Sequence, residues 1–84
     1  MNFEEALKNL KEGKKVKRDW WPGHFIFLVA GIELEVNGLP LINHFPEKSR
    51  VYCLPDILLS KDNILSTWAI PPQDILAEDW ELYE

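Results

Sequence analysis

Cysteine is nearly absent from this 84-residue chain: Cys53 stands alone, so no internal disulfide can brace the fold. The two histidines, His24 and His44, lie far apart and outside any ligand spacing, which argues against a structural zinc site. No run approaches the roughly 18 apolar residues that span a bilayer. The acidic, amphipathic start Met1-Asn2-Phe3-Glu4-Glu5 is unlike a signal peptide. From Asp62 onward there is no basic residue at all, against six acids. Phosphate-binding glycine loops, a nucleophile elbow and a dinucleotide fingerprint are also missing. These absences predict one small soluble domain over residues 1–84, in a reducing cytoplasm, with no membrane partner, no cofactor, no metal and no catalytic centre.

What the chain does have is aromatic residues: four Trp, four Phe and two Tyr. A chain of this length buries only about 60–65% of the surface its unfolded form exposes. Small domains offset that with disulfides, metals, dense aromatic packing or oligomerisation. With the first two set aside, aromatic packing and a second copy of the chain remain.

Charge is unevenly spread. Residues 1–18 carry six basic and three acidic groups, residues 19–61 three basic and five acidic, and the whole chain has a net charge of −5. An acidic protein is a poor partner for polymeric nucleic acid, whose binding requires many phosphates to be neutralised. The basic end has the right field for a small anion. Its lysines equally fit the solvated faces of a helix and a strand.

Phe3, Ala6, Leu7 and Leu10 fall at i, i+3, i+4 and i+7 and predict a helix over about 3–12. Asn2 and Glu5 stand in capping-box positions, Glu4 and Lys8 are spaced as an ion pair, and Gly13 suits the left-handed cap. Lys14–Arg18 reads as a short edge strand with Val16 inward, its lysines discouraging further pairing. After the Pro22-Gly23 turn, Phe25–Ala30 is apolar on both faces, as a covered central strand is. One face would meet the helix and the other a second subunit. Ile32–Val36 alternates as a half-buried strand, and 38–49 reads as a long loop. Arg50–Leu59 is extended, with Pro55 forcing an edge or a bulge. Asp62-Asn63 is a tight turn before a strand over Ile64–Ala69. Pro71-Pro72 ends that strand, a helical turn covers Asp74–Ala77, and Trp80–Tyr83 forms a last strand. The architecture is α+β: an N-terminal helix on an antiparallel sheet of about five strands, with a short helical turn before the last.

Reactive groups offer little. Cys53 lies in an apolar segment and reads as a buried small hydrophobe. His24 either touches a ligand or faces solvent from its turn. Asp74 and Asp79 form either a carboxylate pair or, in the simpler reading, a helix cap and a local backbone partner. The better lead is Trp20-Trp21 directly after Lys17-Arg18, since a base needs a flat face to stack on and its phosphates need cations. The alternative has Trp21 plugging the core and Trp20 covering its rim.

Three stretches resemble one family: Asn2-Phe3-Glu4-Glu5-Ala6-Leu7 with Leu10-Lys11-Glu12-Gly13-Lys14-Lys15-Val16; Arg18 with Trp21; and Trp68 followed by Gln73-Asp74-Ile75-Leu76-Ala77-Glu78-Asp79-Trp80-Glu81. They are similar to the opening and close of the Thoeris anti-defense 2-like proteins of phages and prophages. The resemblance covers nearly the full chain. It implies a non-enzymatic sponge that sequesters a cyclic ADP-ribose-type immune signal intact, inside the infected or lysogenic bacterial host. It also implies homo-oligomers, dimers or tetramers built from dimers, with pockets at subunit junctions, and in some members a separate site for cyclic oligonucleotides. This chain departs from the family pattern at Trp20, at Asp62-Asn63 and at Ala69-Ile70-Pro71-Pro72. Laid onto family-like positions, physical reasoning assigns Trp21 and Phe25 to stacking. It assigns Arg18 and Arg50 to phosphate, and Gln73 and Asp74 to polar readout of a base or ribose. The alternative is a protein-binding module whose exposed aromatics dock onto a host or virion protein.

Overall fold

Both ends of the first helix are built as the sequence predicts. In a computed structural model describing residues 1–84, α1 spans Phe3–Lys11. The Asn2 side chain accepts from the Glu5 N–H at 2.9 Å, and the Glu5 carboxylate accepts from the Asn2 N–H at 3.2 Å. Gly13 follows at φ +85°, a conformation that would strain a side chain. Ala6 and Leu10 are fully buried, so the apolar stripe is the packed face. No helix is long and apolar enough to cross a membrane.

The strands are β1 (Val16–Arg18), β2 (Phe25–Val29), β3 (Ile32–Glu35), β4 (Arg50–Cys53), β5 (Asp56–Lys61), β6 (Ile64–Thr67) and β7 (Trp80–Leu82), with a short α2 (Pro72–Ile75) before β7. Five of them form an antiparallel sheet in the order β6-β5-β2-β1-β7, while β3 and β4 pair separately as a two-stranded ribbon. The fold is therefore α+β, with α1 packed on β1, β2 and β7.

Register divides the sheet into two faces. Ile26, Leu59 and Ser66 stand opposite one another on the helix side, and Phe27, Leu58 and Thr67 on the other. The helix side holds the core of Ala6, Leu10, Val16, Trp21, Ile26, Trp68 and Trp80. Trp80 is its centre, with Phe3, Trp21 and Trp68 at ring separations of 5.4, 5.4 and 5.8 Å. Its indole N–H donates to the Asp74 carbonyl at 2.8 Å, which satisfies its polar edge within the core.

Four local expectations are corrected. β1 is not an edge strand, because β7 returns from the far end of the sequence and pairs along its free side. Lys17 instead meets Glu81 across that pair at 3.1 Å. The segment Arg50–Leu59 is not one strand: it breaks at Leu54-Pro55 into β4 of the ribbon and β5 of the main sheet. All four residues of β3 are exposed, since β3 pairs only with β4, and Cys53 opposite Ile32 is exposed with them. Beyond β3 the ladder continues through buried Val36, whose N–H donates to Ser49 at 2.8 Å.

The result is an elongated molecule of 46 × 24 × 24 Å. Its radius of gyration is 15.7 Å, against about 12 Å for a compact chain of this length. Its accessible surface of 6102 Å² exceeds the roughly 5,200 Å² expected for its mass. The ribbon and the uncovered sheet face account for this surplus: Ile32, Leu34, Leu65 and Tyr52 are all exposed.

Candidate ligand-binding cleft

Pro22-Gly23 turns the chain sharply after β1, with Gly23 at φ +74° and its N–H donating to the Trp21 carbonyl at 3.1 Å. This turn faces the two tryptophans in different directions. Trp21 packs edge-on against Trp80 and is 9% exposed, while Trp20 is 64% exposed. Trp21 therefore plugs the core, and it also lines a cleft.

That cleft, about 560 Å³, opens where the helix side of the sheet runs out beyond α1. Its walls are Trp20, Trp21, Trp68 and Pro71, with His24, Lys61, Ser66 and Asp74 supplying polar atoms. Volumes of a few hundred Å³ with aromatic walls and few polar groups suit small ligands. One step beyond the Phe25↔Ser60 pair, continued register sets His24 opposite Lys61. The cleft's charged end is thus made by pairing between two distant segments.

Arg18 stands behind this cleft and is engaged by carboxylates. Its Nε and Nη2 donate to the two oxygens of Asp79, and its Nη1 donates to Oδ1 of the buried Asp74. These hydrogen bonds hold the Asp79 carboxyl below the usual carboxylate range and raise the guanidinium further above neutrality. Neighbouring Asp19 is pushed the other way, first by its hydrogen bond with Asp79, then by desolvation and by the charges of Asp79 and Glu81. Asp74 caps no helix, the N-cap of α2 being Pro71, and Asp79 reaches across to β1 and not to local backbone alone.

The six sequence-derived site residues divide into groups. Trp21 and Asp74 line the cleft, and Arg18 touches Asp74 from behind. Gln73 is exposed on α2 beside Asp74 but lies outside the cleft wall. Phe25 is on the opposite sheet face, against Tyr83 at 4.5 Å with the Lys15 ammonium 4.8 Å from its ring. Arg50 is on the ribbon, 3.7 Å from Glu33. Lys61 was not marked out in the sequence, and the signal that reveals it is the β2–β5 register, which appears only once the chain is folded.

The profile of the Tad2-like family, described as the Thoeris anti-defense 2-like domain, matches residues 1–83. The chain belongs to the Thoeris anti-defense 2-like family. The protein named Thoeris anti-defense 2 from Bacillus phage SP01 is 33% identical over 85 residues, covering 98% of this chain and 93% of that relative. Membership of the Thoeris anti-defense 2-like family gives the protein an anti-defense role.

Proposed function

We propose that this protein acts as a non-enzymatic sponge, binding a cyclic nucleotide-type immune signal, a cyclic ADP-ribose isomer or a cyclic oligonucleotide, and holding it away from its effector. The observation that carries the reading is the cleft itself. Three tryptophans supply flat apolar surface, Lys61 and His24 supply donors, and the one acid in the wall, Asp74, is already engaged by Arg18. Tight, slowly released binding needs such a surface and no nucleophile.

The same reading takes the protein as a homo-oligomer, a dimer or a tetramer. Apolar side chains on the ribbon and on the sheet face away from α1 support it, because a two-stranded ribbon is marginal in water by itself. A protein-docking role is the second reading. It draws on Ile75 and Leu76, 43% and 80% exposed, beside Leu7 in a groove between α1 and α2.

Calorimetric titration with a panel of cyclic ADP-ribose isomers and cyclic oligonucleotides tests the sponge. Saturable binding, with the ligand recovered intact after heat denaturation, is expected. A cleaved product places the protein among enzymes, and no binding to any member of the panel rejects the reading.

A further inference from the structure

Three of the four tryptophans are at most 9% exposed, but Trp20 leaves 64% of its surface in solvent. Its position is nevertheless defined. Its ring stands edge-on to Trp21 at 6.4 Å and 82°, and the Arg18 guanidinium lies over it at 5.7 Å. Arg18 is itself held by Asp74 and Asp79. The indole is therefore held by Trp21 on one side and by Arg18 over its ring, and the 64% of its surface in solvent is open to a planar partner.

Lys61 lies in the same cleft wall, exposed and without an ion pair. It ends β5 on the sheet face of Leu59, opposite His24 by continuation of the β2–β5 register. Asp74, the single acid of the wall, is matched to Arg18. In a protein of net charge −5, this leaves a local positive end to a cleft whose other end is an open indole.

We propose that Trp20 and Lys61 determine the specificity of this cleft. Trp20 stacks on one planar ring of the ligand, and Lys61, with His24 beside it, takes the ligand's phosphate. Arg18 is a positioning residue that sets the plane of Trp20. The cleft then selects a phosphorylated nucleoside over a neutral base or nucleoside. This rests on the reading of the cleft as the ligand site, and it adds residues outside the family-like positions.

The test uses the full-length protein labelled with 15N, following the four indole N–H signals, with ADP-ribose and adenosine as probes. ADP-ribose is expected to move the Trp20 signal, and adenosine at equal concentration is not. Trp20→Ala and Lys61→Ala each weaken ADP-ribose binding at least about tenfold, a loss in the range for removing one stacking surface or one charged hydrogen bond. Lys61→Arg retains binding. Arg18→Lys shifts the Trp20 signal before any ligand is added. Lys61→Ala keeps the wild-type melting temperature, its side chain being exposed and outside any ion pair, and the three remaining indole signals report that Trp20→Ala is folded. A Trp20 signal unmoved by ADP-ribose, or unchanged affinity in both alanine variants, overturns the assignment. If ADP-ribose engages Trp20 while no cyclic isomer binds, the sponge reading falls and this one stands. If cyclic isomers bind equally to wild type and both variants, the sponge reading stands and this one falls.

Discussion

Arg18 grips Asp79 with two nitrogens across 61 residues of sequence, joining the end of β1 to the segment that leads into β7. A planar guanidinium can satisfy two carboxylate oxygens at once, and an ammonium cannot. Arg18→Lys should therefore keep the charge and lose the fork, lowering the melting temperature by roughly 5–10 °C. Thermal unfolding followed by circular dichroism measures it, and an unchanged midpoint would show that the network is passive.

The two neighbouring carboxyls predict opposite pH behaviour. Asp79 has a folded pKa below its ordinary 3.8, so its contribution is present above that value and is lost as pH falls through the folded pKa. Asp19 has a folded pKa above 3.8, so its contribution is present at lower pH and is lost as pH rises through the folded pKa. Asp79→Asn should melt below wild type at pH 7, with the gap closing under about pH 4. Asp19→Asn should melt at or above wild type at pH 7, with its advantage shrinking in acid. Melting curves from pH 3 to pH 7 read both, and parallel curves would refute the scheme.

Trp80→Phe isolates one hydrogen bond within the core. The phenyl ring keeps most of the contacts with Phe3, Trp21 and Trp68 but leaves the Asp74 carbonyl without its 2.8 Å donor. A loss of about 1–3 kcal/mol is expected in urea unfolding. Trp80→Ala should cost about 3–5 kcal/mol, a large part of the stability of a chain this small.

The proposed oligomer would have a reporter in Cys53, exposed on the apolar side of the ribbon opposite Ile32. If ribbons pack between copies, its thiol should react slowly with a thiol reagent at high protein concentration and quickly after dilution. Leu34→Glu, on the same side of the ribbon, should shift the sedimentation coefficient to that of a monomer and make Cys53 react quickly at every concentration. A monomeric wild type would end the proposal.

Much of this fold was legible because its signals are local. The α1 stripe, the Asn2–Glu5 box and Gly13 each depend on neighbours within one helical turn. The Asp62-Asn63 turn is also visible, both residues adopting the positive φ that a tight hairpin between β5 and β6 requires. The central place of β2 followed from its two apolar faces. What stayed hidden depends on pairing at a distance. The lysines of β1 read as an edge signal, yet β7 covers that side, and nothing near Val16 announces it. Ile32–Val36 alternates as a half-buried strand does, yet only Val36 is buried, because no other layer packs over Ile32 and Leu34. In the cleft, Trp21 and Asp74 stood out by residue type and by the family-like wording around them. His24 stood out only as a turn histidine with two readings, and Lys61 is unremarkable until both are seen to line the same cleft.

The aromatic junction around Trp80 also sets an order of events during synthesis. Phe3, Trp21 and Trp68 all precede residue 80 in the chain, and each rests against its ring. Until Trp80 clears the ribosome these three rings lack the one they close on, so the helix side of the sheet stays open to solvent. The helix-side core therefore closes late, once its last ring is free of the ribosome.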